Sequence, residues 1–411
     1  MDEKLAILVG GGPAPGINGV IEASVREAAS RGIEVIGIIE GFKWLSQGDT
    51  RHTRVLSEND VYGIHYKGGS IVRTSRDNPT KSPEKMNNII RALDALKVKY
   101  LLTIGGDDTS FSARRVSDVA QGRISVVHVP KTIDNDLPLP LGVPTFGYET
   151  ARQLGAALVG NLLEDARAST RWYFVIAMGR AAGFLGLGMF MSSGASVALI
   201  PEEFPHGTSF QRVVDIIETS VIKRLILNKD YGVAIISEGV AERLNPDEFA
   251  FIKDIGRDEH GNLKLADAPL GTLLKEEVGK RLKDKGIKMK IIEKDIGFEL
   301  RSSAPNAFDR EYTKNLGISA VRFLYEGGTE AMMTFYEGMS RGVPFSEIMN
   351  PETGRTQTRT VDVTSDYYIN AMSAMDRLKD DDFKNGQRCK ALAAVTGMSE
   401  KEFIDRFSYL I

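Results

Sequence analysis

The chain has 411 residues, 42% of them hydrophobic, and a formal net charge of −3. That is too long for one small core and too balanced for a general nucleic-acid or membrane-surface binder. The single cysteine, Cys389, excludes an intrachain disulfide and a Cys-rich zinc site. No apolar run approaches the ~20 residues that cross a bilayer, and Met1–Lys4 is too short and charged for a signal peptide. The expectation is a reduced, cytoplasmic, enzyme-sized protein with two α/β lobes.

In chain order, Leu5–Val9 reads as a strand running into Gly10-Gly11-Gly12-Pro13-Ala14-Pro15-Gly16, followed by a helix over about Asn18–Ser30. A strand, a glycine turn and a helix N-terminus gather backbone N–H groups at one point, a seat for an anion. No Gly-Lys-Ser/Thr follows, so the loop is not a Walker loop, and Pro15 breaks the dinucleotide pattern. Glu34–Ile39 should be the second strand. In the loop after it, Arg73-Thr74-Ser75-Arg76 places two arginines three apart beside hydroxyls, suited either to a bidentate phosphate clamp or to a solvated loop. Ser82-Pro83-Glu84 opens a helix ending near Leu96.

Two polar segments then follow two short apolar runs. Gly105–Ser110 (Gly-Gly-Asp-Asp-Thr-Ser) follows Tyr100–Ile104, and Pro130–Asp136 (Pro-Lys-Thr-Ile-Asp-Asn-Asp) follows Ser125–Val129. Polar loops at the carboxyl ends of neighbouring parallel strands form the rim where open α/β sheets bind ligands. Four aspartates, a lysine and threonines within about thirty residues suit a phosphate, a metal and a hydroxyl to be deprotonated, which is phosphoryl-transfer equipment.

Leu137–Pro144 is proline-rich and is expected to cross to the second lobe. There a helix over about Tyr148–Asp165, a strand at Trp172–Ala177, a helix led into by Ala182-Gly183-Phe184, a strand at Val197–Ile200, a helix over Ser209–Leu227 and a strand at Gly232–Ser237 alternate, with Glu238 at the last strand end. Ala241–Pro269, containing Asp258-Glu259-His260-Gly261, reads as a charged surface excursion, with His260 a loop residue. Helical patterns recur at Leu273–Lys285, Ala307–Glu326 and Thr329–Arg341, and Ser399-Glu400-Lys401-Glu402 is a capping box for a terminal helix.

Gly11-Gly12 with Pro15-Gly16-Ile17-Asn18, Gly105-Gly106-Asp107, Thr132-Ile133-Asp134-Asn135-Asp136 and Met178-Gly179-Arg180 occur in one order. With these motifs the chain resembles the 6-phosphofructokinase family from about Leu5 to Gly317. The resemblance implies two Rossmann-like three-layer α/β/α lobes with mostly parallel sheets and the active site in the cleft between them. A phosphoryl-donor lobe would take residues 1–145 plus about 300–355, and a fructose 6-phosphate lobe 146–299 plus about 356–411. It also implies phosphoryl transfer to the 1-hydroxyl of fructose 6-phosphate, with Asp134 as general base, Thr132 orienting the reacting groups and Asp107 binding Mg²⁺. Gly11 and Gly12 would present N–H groups to the donor, and Arg76 would bridge its phosphates. Ile133, Met178, Gly179 and Arg180 would surround the sugar, Arg180 also facing the phosphates, and Glu238 would accept from its hydroxyls. Arg301 would contact the 6-phosphate. Arg171 would be lent to a neighbouring subunit's pocket, which implies a homodimer or homotetramer. Phe298 stands where relatives carry histidine or tyrosine, and Ile292 where an arginine is expected, leaving Lys290 or Lys294 to compensate.

Two positions bear on the donor. ATP-using bacterial relatives have glycine where this chain has Asp108 and Lys131. A carboxylate at 108 would repel an inner nucleotide phosphate, whereas Lys131 would favour a compact pyrophosphate leaving group. The pair resembles the pyrophosphate-dependent branch, whose reaction runs in both directions. The alternatives are an ATP-dependent 6-phosphofructokinase, and, in a different class, a non-catalytic sugar-phosphate-binding subunit. Residues after about 340 carry no motif.

Overall fold

The computed structural model describes residues 3–140, 142–249 and 265–411. The chain separates into two compact units: Met1–Ala151 with Phe298–Arg359, and Arg152–Gly297 with Thr360–Ile411. The strands, numbered along the chain, are β1 (Lys4–Val9), β2 (Glu34–Ile38), β3 (Thr53–Leu56), β4 (Val98–Gly105), β5 (Ser125–Thr132), β6 (Phe146–Gly147), β7 (Arg171–Ala177), β8 (Val197–Leu199), β9 (Gly232–Ser237), β10 (Lys290–Ile296), β11 (Ala331–Tyr336) and β12 (Met339–Pro344).

The first unit holds one sheet in the order β12–β11–β5–β4–β1–β2–β3, with β6 paired to the end of β5. Its interior pairs are parallel, and β3 and β12 join antiparallel at the edges. Leu5–Val9, Leu101–Ile104 and Val126–Val129 are buried throughout, the continuous burial expected of strands covered on both faces. From β1 the chain moves outward to β2 and β3, then returns to lay β4 on the other side of β1. The strand order therefore reverses between β1 and β4, and ligands of open α/β sheets sit outside the carboxyl ends of strands at such a point.

Three expectations change in this unit. The segment expected to be a helix over Thr329–Arg341 is instead the β11–β12 hairpin, turning at Glu337 and Gly338 with φ of 51° and 75°. Methionine and glutamate favour helix, but pairing beside β5 buries Met332 and Met333 completely or nearly so. The expected loops also begin later or not at all: β5 continues to Thr132, and a helix starts at Asp107 and runs to Ala120. Finally, the chain does not leave at Leu137–Pro144, because Phe146–Gly147 returns to pair with Lys131–Thr132.

The second unit carries a fully parallel sheet in the order β10–β7–β9–β8. The helix over Phe210–Ile226 is capped by the Ser209 hydroxyl, which accepts from the Gln211 N–H at 3.2 Å. The Ser399–Glu402 capping box is present in both directions at 3.3 and 2.8 Å. It opens a helix over Glu400–Phe407 whose Phe403 and Phe407 are fully buried. The excursion around Asp258–Gly261, His260 included, lies outside the described residues. Among the described residues no helix is long and apolar enough to cross a membrane.

Candidate active site

The glycine turn after β1 is packed against the end of β4 through one side chain. A Cβ built on Gly10 would lie 2.3 Å from Thr109 Oγ1, and one built on Gly105 would lie 2.3 Å from Thr109 Cβ. Only glycine at both positions lets Thr109 lodge between the two strand ends, with the Gly10 N–H donating to the Ile104 carbonyl at 2.9 Å. The Gly11 N–H, expected to face the donor, donates instead to the Ser75 carbonyl at 2.8 Å. The Thr74 hydroxyl donates to the Gly11 carbonyl at 2.6 Å. The Arg73–Arg76 stretch therefore lies alongside the turn as an added backbone partner. Arg73 pairs with Glu40, with 3.6 Å between charged atoms. Arg76, one residue past Ser75, is exposed.

Asp107 and Asp108 occupy the first turn of the helix over Asp107–Ala120, where the free N–H groups and the macrodipole favour acids. Asp107 is half-buried and Asp108 exposed. Lys131 is 4% exposed, and its ammonium donates to the Gly12 carbonyl at 2.5 Å. A buried cation is thus brought to the glycine turn from the end of the neighbouring strand. Gly11, Gly12 and Lys131 are gathered at one point, with Asp108 one residue from the threonine lodged against Gly10.

The segment after β5 is held tightly. The Asp134 N–H donates to the Thr132 hydroxyl at 3.0 Å, and the Thr145 N–H donates to Asn135 Oδ1 at 3.0 Å. Ile133, Asp134, Asn135 and Asp136 are all buried, Asp134 at 5% exposure. Asn135 sits in the left-handed region at φ 57°, which asparagine tolerates better than most residues. Behind the strand ends, buried His128 accepts from the Thr103 hydroxyl at Nδ1 (2.8 Å) and donates from Nε2 to the Gly105 carbonyl (3.0 Å). Burial drives its pKa down to about 3, so the ring is neutral and fixed in one tautomer.

Sequence reasoning missed Arg359, whose guanidinium reaches the Asn135 and Val143 carbonyls at 2.8 Å each and Asn135 Oδ1 at 2.5 Å. Nothing local marks that arginine, which lies 216 to 224 residues from those partners.

Phe298 and Arg301, expected at the sugar 6-phosphate, belong to the first unit. A Cβ on Gly12 would lie 3.5 Å from the Arg301 guanidinium carbon, which also sits 5.3 Å from the Phe298 ring centroid. Arg301 is therefore beside the donor turn, and Phe298 is 76% exposed.

In the second unit, Met178-Gly179-Arg180 follows β7, and Glu238 follows the adjacent β9. Glu238 Oε1 accepts from the Gly179 and Arg180 N–H groups at 3.2 and 3.0 Å. That oxygen shapes the turn that carries Gly179 and Arg180. Arg180 has φ 48°, is exposed, and its carbonyl would lie 1.8 Å from a Cβ on Gly239, so only glycine fits there. Beyond the turn, Glu202 Oε1 accepts from the Gly183 and Val361 N–H groups at 2.9 and 2.8 Å, and burial raises its carboxyl pKa. Arg171 lies at the opposite end of β7 from Met178, about 20 Å away at the rise of an extended strand. Its Nη1 is 3.7 Å from Asp165, and its buried Nε has no hydrogen-bond partner among the described residues. Lys290 pairs in register with Arg171, while Lys294 lies toward the other end; both are exposed on β10.

A glycine turn at a strand-order reversal, an acid-rich helix start and a lysine–aspartate strand end are the fittings of an α/β phosphotransferase. The chain belongs to the phosphofructokinase family, whose model, described as Phosphofructokinase, matches residues 4–324. A Thermotoga maritima protein named pyrophosphate--fructose 6-phosphate 1-phosphotransferase is 47% identical over 412 residues, covering 99% of this chain and 98% of its own. A Naegleria fowleri protein of the same name is 46% identical over 417 residues, covering 99% and 95%. The crystal structure of the pyrophosphate-dependent phosphofructokinase from Marinobacter aquaeolei superposes with a TM-score of 0.70 at 17% identity, over 97% of this chain and 92% of that one. The Pichia pastoris phosphofructokinase in its T-state gives 0.67 at 21% identity; this chain is matched throughout but spans only 39% of that longer one. These two likenesses speak to the fold alone.

Proposed function

We propose that the protein transfers a phosphoryl group reversibly from pyrophosphate to the 1-hydroxyl of fructose 6-phosphate, giving fructose 1,6-bisphosphate and phosphate. The observation that carries the donor assignment is buried Lys131 held at the Gly12 carbonyl with the Asp108 carboxylate on the adjacent helix start. It is supported by full-length relatives named for that reaction.

In this reading Asp134 accepts the proton of the 1-hydroxyl as the oxygen attacks the transferring phosphorus, while Thr132 fixes the backbone on which Asp134 is carried. Lys131 sits where negative charge grows on the departing phosphate. Gly11 shapes the turn, and Gly12, Arg76 and Arg301 border the donor. The turn at Ile133, and in the second unit Met178, Gly179 and Arg180, read the sugar, with Glu238 holding the latter turn in shape. The described residues contain no group of three or more metal-ligating side chains. Asp107, half-buried at a helix start, fits a Mg²⁺ held by one carboxylate, water and substrate phosphates. Bound there, the ion would offset charge on the transferring group.

Arg171, at the far end of β7, serves in this reading the 6-phosphate pocket of a neighbouring subunit in a homo-oligomer. Mixing inactive Asp134→Asn and Arg171→Ala subunits should then restore activity; mixtures that stay dead would remove that role. The reaction itself is tested in reverse. Purified protein with fructose 1,6-bisphosphate, phosphate and Mg²⁺ should release pyrophosphate, and its absence under conditions where the protein is folded would overturn the assignment.

A further inference from the structure

We propose that Arg359, together with Thr356, is the positioning element that sets the Asp134 carboxylate, so that turnover depends on a segment lying beyond the residues matched by the family model. The inference rests on the reaction proposed above, and its structural half can be read without that reaction.

The three residues after Ile133 are buried, two of them are acids, and Asn135 has a left-handed backbone. Such a segment does not hold its shape by itself: its backbone polar groups need partners out of water, and a positive φ costs free energy unless its surroundings hold it there. Beyond the Asp134 N–H, which donates to Thr132, the partners come from one arginine. Arg359 Nε donates to the Asn135 carbonyl at 2.8 Å, Nη2 donates to Asn135 Oδ1 at 2.5 Å and to the Val143 carbonyl at 2.8 Å, and Nη1 reaches the Leu139 carbonyl at 3.4 Å. The Arg359 N–H donates to the Asp136 carbonyl at 2.7 Å. One guanidinium thus ties Asn135 to Leu139 and Val143, which only the planar fork of arginine can do. Three residues earlier, the Thr356 hydroxyl donates to the Asp107 carbonyl at 3.1 Å. The same short segment is therefore fastened to the residue expected to face the metal and to the two that follow the proposed base.

Asp134 is pinned on its amino side by Thr132 and on its carboxyl side by the residue Arg359 grips. Releasing one side tilts a buried carboxylate whose task requires hydrogen-bond reach of a hydroxyl, and misplacement by about 1 Å costs on the order of 100-fold. The guanidinium contacts the loop rather than the donor turn, so donor binding should be spared.

The test uses Arg359→Lys, which keeps charge and stem but cannot fork, and Arg359→Ala. Arg359→Lys should fold with kcat lowered about 10- to 100-fold, KM for pyrophosphate within about twofold, and faster deuterium uptake in peptides spanning 132–147. In Arg359→Ala, added guanidinium at tens of millimolar should restore part of kcat, with no gain for wild type. Unchanged kcat and unchanged exchange in Arg359→Lys would overturn the inference, as would a loss of rate carried by KM. If wild type itself lacks the proposed activity, the functional reading fails, while the exchange result still decides whether Arg359 sets the loop.

Discussion

Replacing Asp108 by serine removes one exposed carboxylate from the donor side and leaves a side chain suited to a helix start. Asp108 is the second residue of its helix, next to the threonine lodged between Gly10 and Gly105. In our reading, a donor extending beyond two phosphates from the glycine turn carries its inner phosphate past this carboxylate. Two unit charges about 4 Å apart repel by ~1 kcal/mol at the dielectric of water and ~4 kcal/mol at an effective dielectric of 20. Because Asp108 is exposed, the lower figure governs, and salt trims it further. About 1 kcal/mol corresponds to roughly a fivefold change. In Asp108→Ser, kcat/KM for ATP should rise about 3- to 10-fold at low ionic strength, with pyrophosphate kinetics within about twofold. The gain should shrink in about 0.5 M salt. Losing an acid from the first helical turn should also cost ~0.3–1 kcal/mol of stability, visible as a small fall in Tm. Initial rates with each donor at saturating fructose 6-phosphate measure the ratio. A folded variant whose donor ratio equals the wild-type ratio at low salt would refute electrostatic exclusion by residue 108.

Asp134→Asn should lower kcat by about 10²–10⁴-fold, the usual contribution of a positioned general base, with Tm close to wild type; retained kcat would remove Asp134 from the chemistry. Gly10→Ala forces a Cβ to within 2.3 Å of Thr109 Oγ1, so denaturant titration should show a loss of about 1–3 kcal/mol. Adding Thr109→Ala should recover part of that loss, and strict additivity would contradict the packing argument. His128, with its folded-state pKa pushed to about 3 against an unfolded value of about 6.5, binds fewer protons folded than unfolded. Its contribution is therefore complete above about pH 6.5 and is lost as pH falls from there toward 3. Between pH 7 and 4.5 it should account for roughly 2–3 kcal/mol of acid destabilisation, and His128→Gln should flatten that part of the profile. An unchanged profile would show that other groups set it.

The strand ends that carry the site were legible because each motif directly follows a short apolar run, and parallel strands in a two-faced sheet leave no other place for such runs. What those motifs would touch was less accessible. Gly11 looked like an anion donor, but Ser75 arrives from 64 residues away to take its N–H. Glu238 looked like a sugar acceptor, yet its nearer task is to hold the Gly179 and Arg180 amides. Arg359 and Thr356 carried no signal, since hydrogen bonds spanning more than 200 residues leave no trace in local spacing. The hairpin of β11 and β12 was hidden by helix-favouring residues whose fate was settled by an open sheet edge beside β5.

The decisive measurement is which donor the wild-type protein uses, read as the ratio of kcat/KM for pyrophosphate to that for ATP, with fructose 6-phosphate and Mg²⁺ saturating. A charge-selected donor turn should favour pyrophosphate by at least ten to one, with Lys131→Gly narrowing the gap. Equal values, or a preference for ATP, would contradict the assignment of Asp108 and Lys131 as the residues that choose the donor.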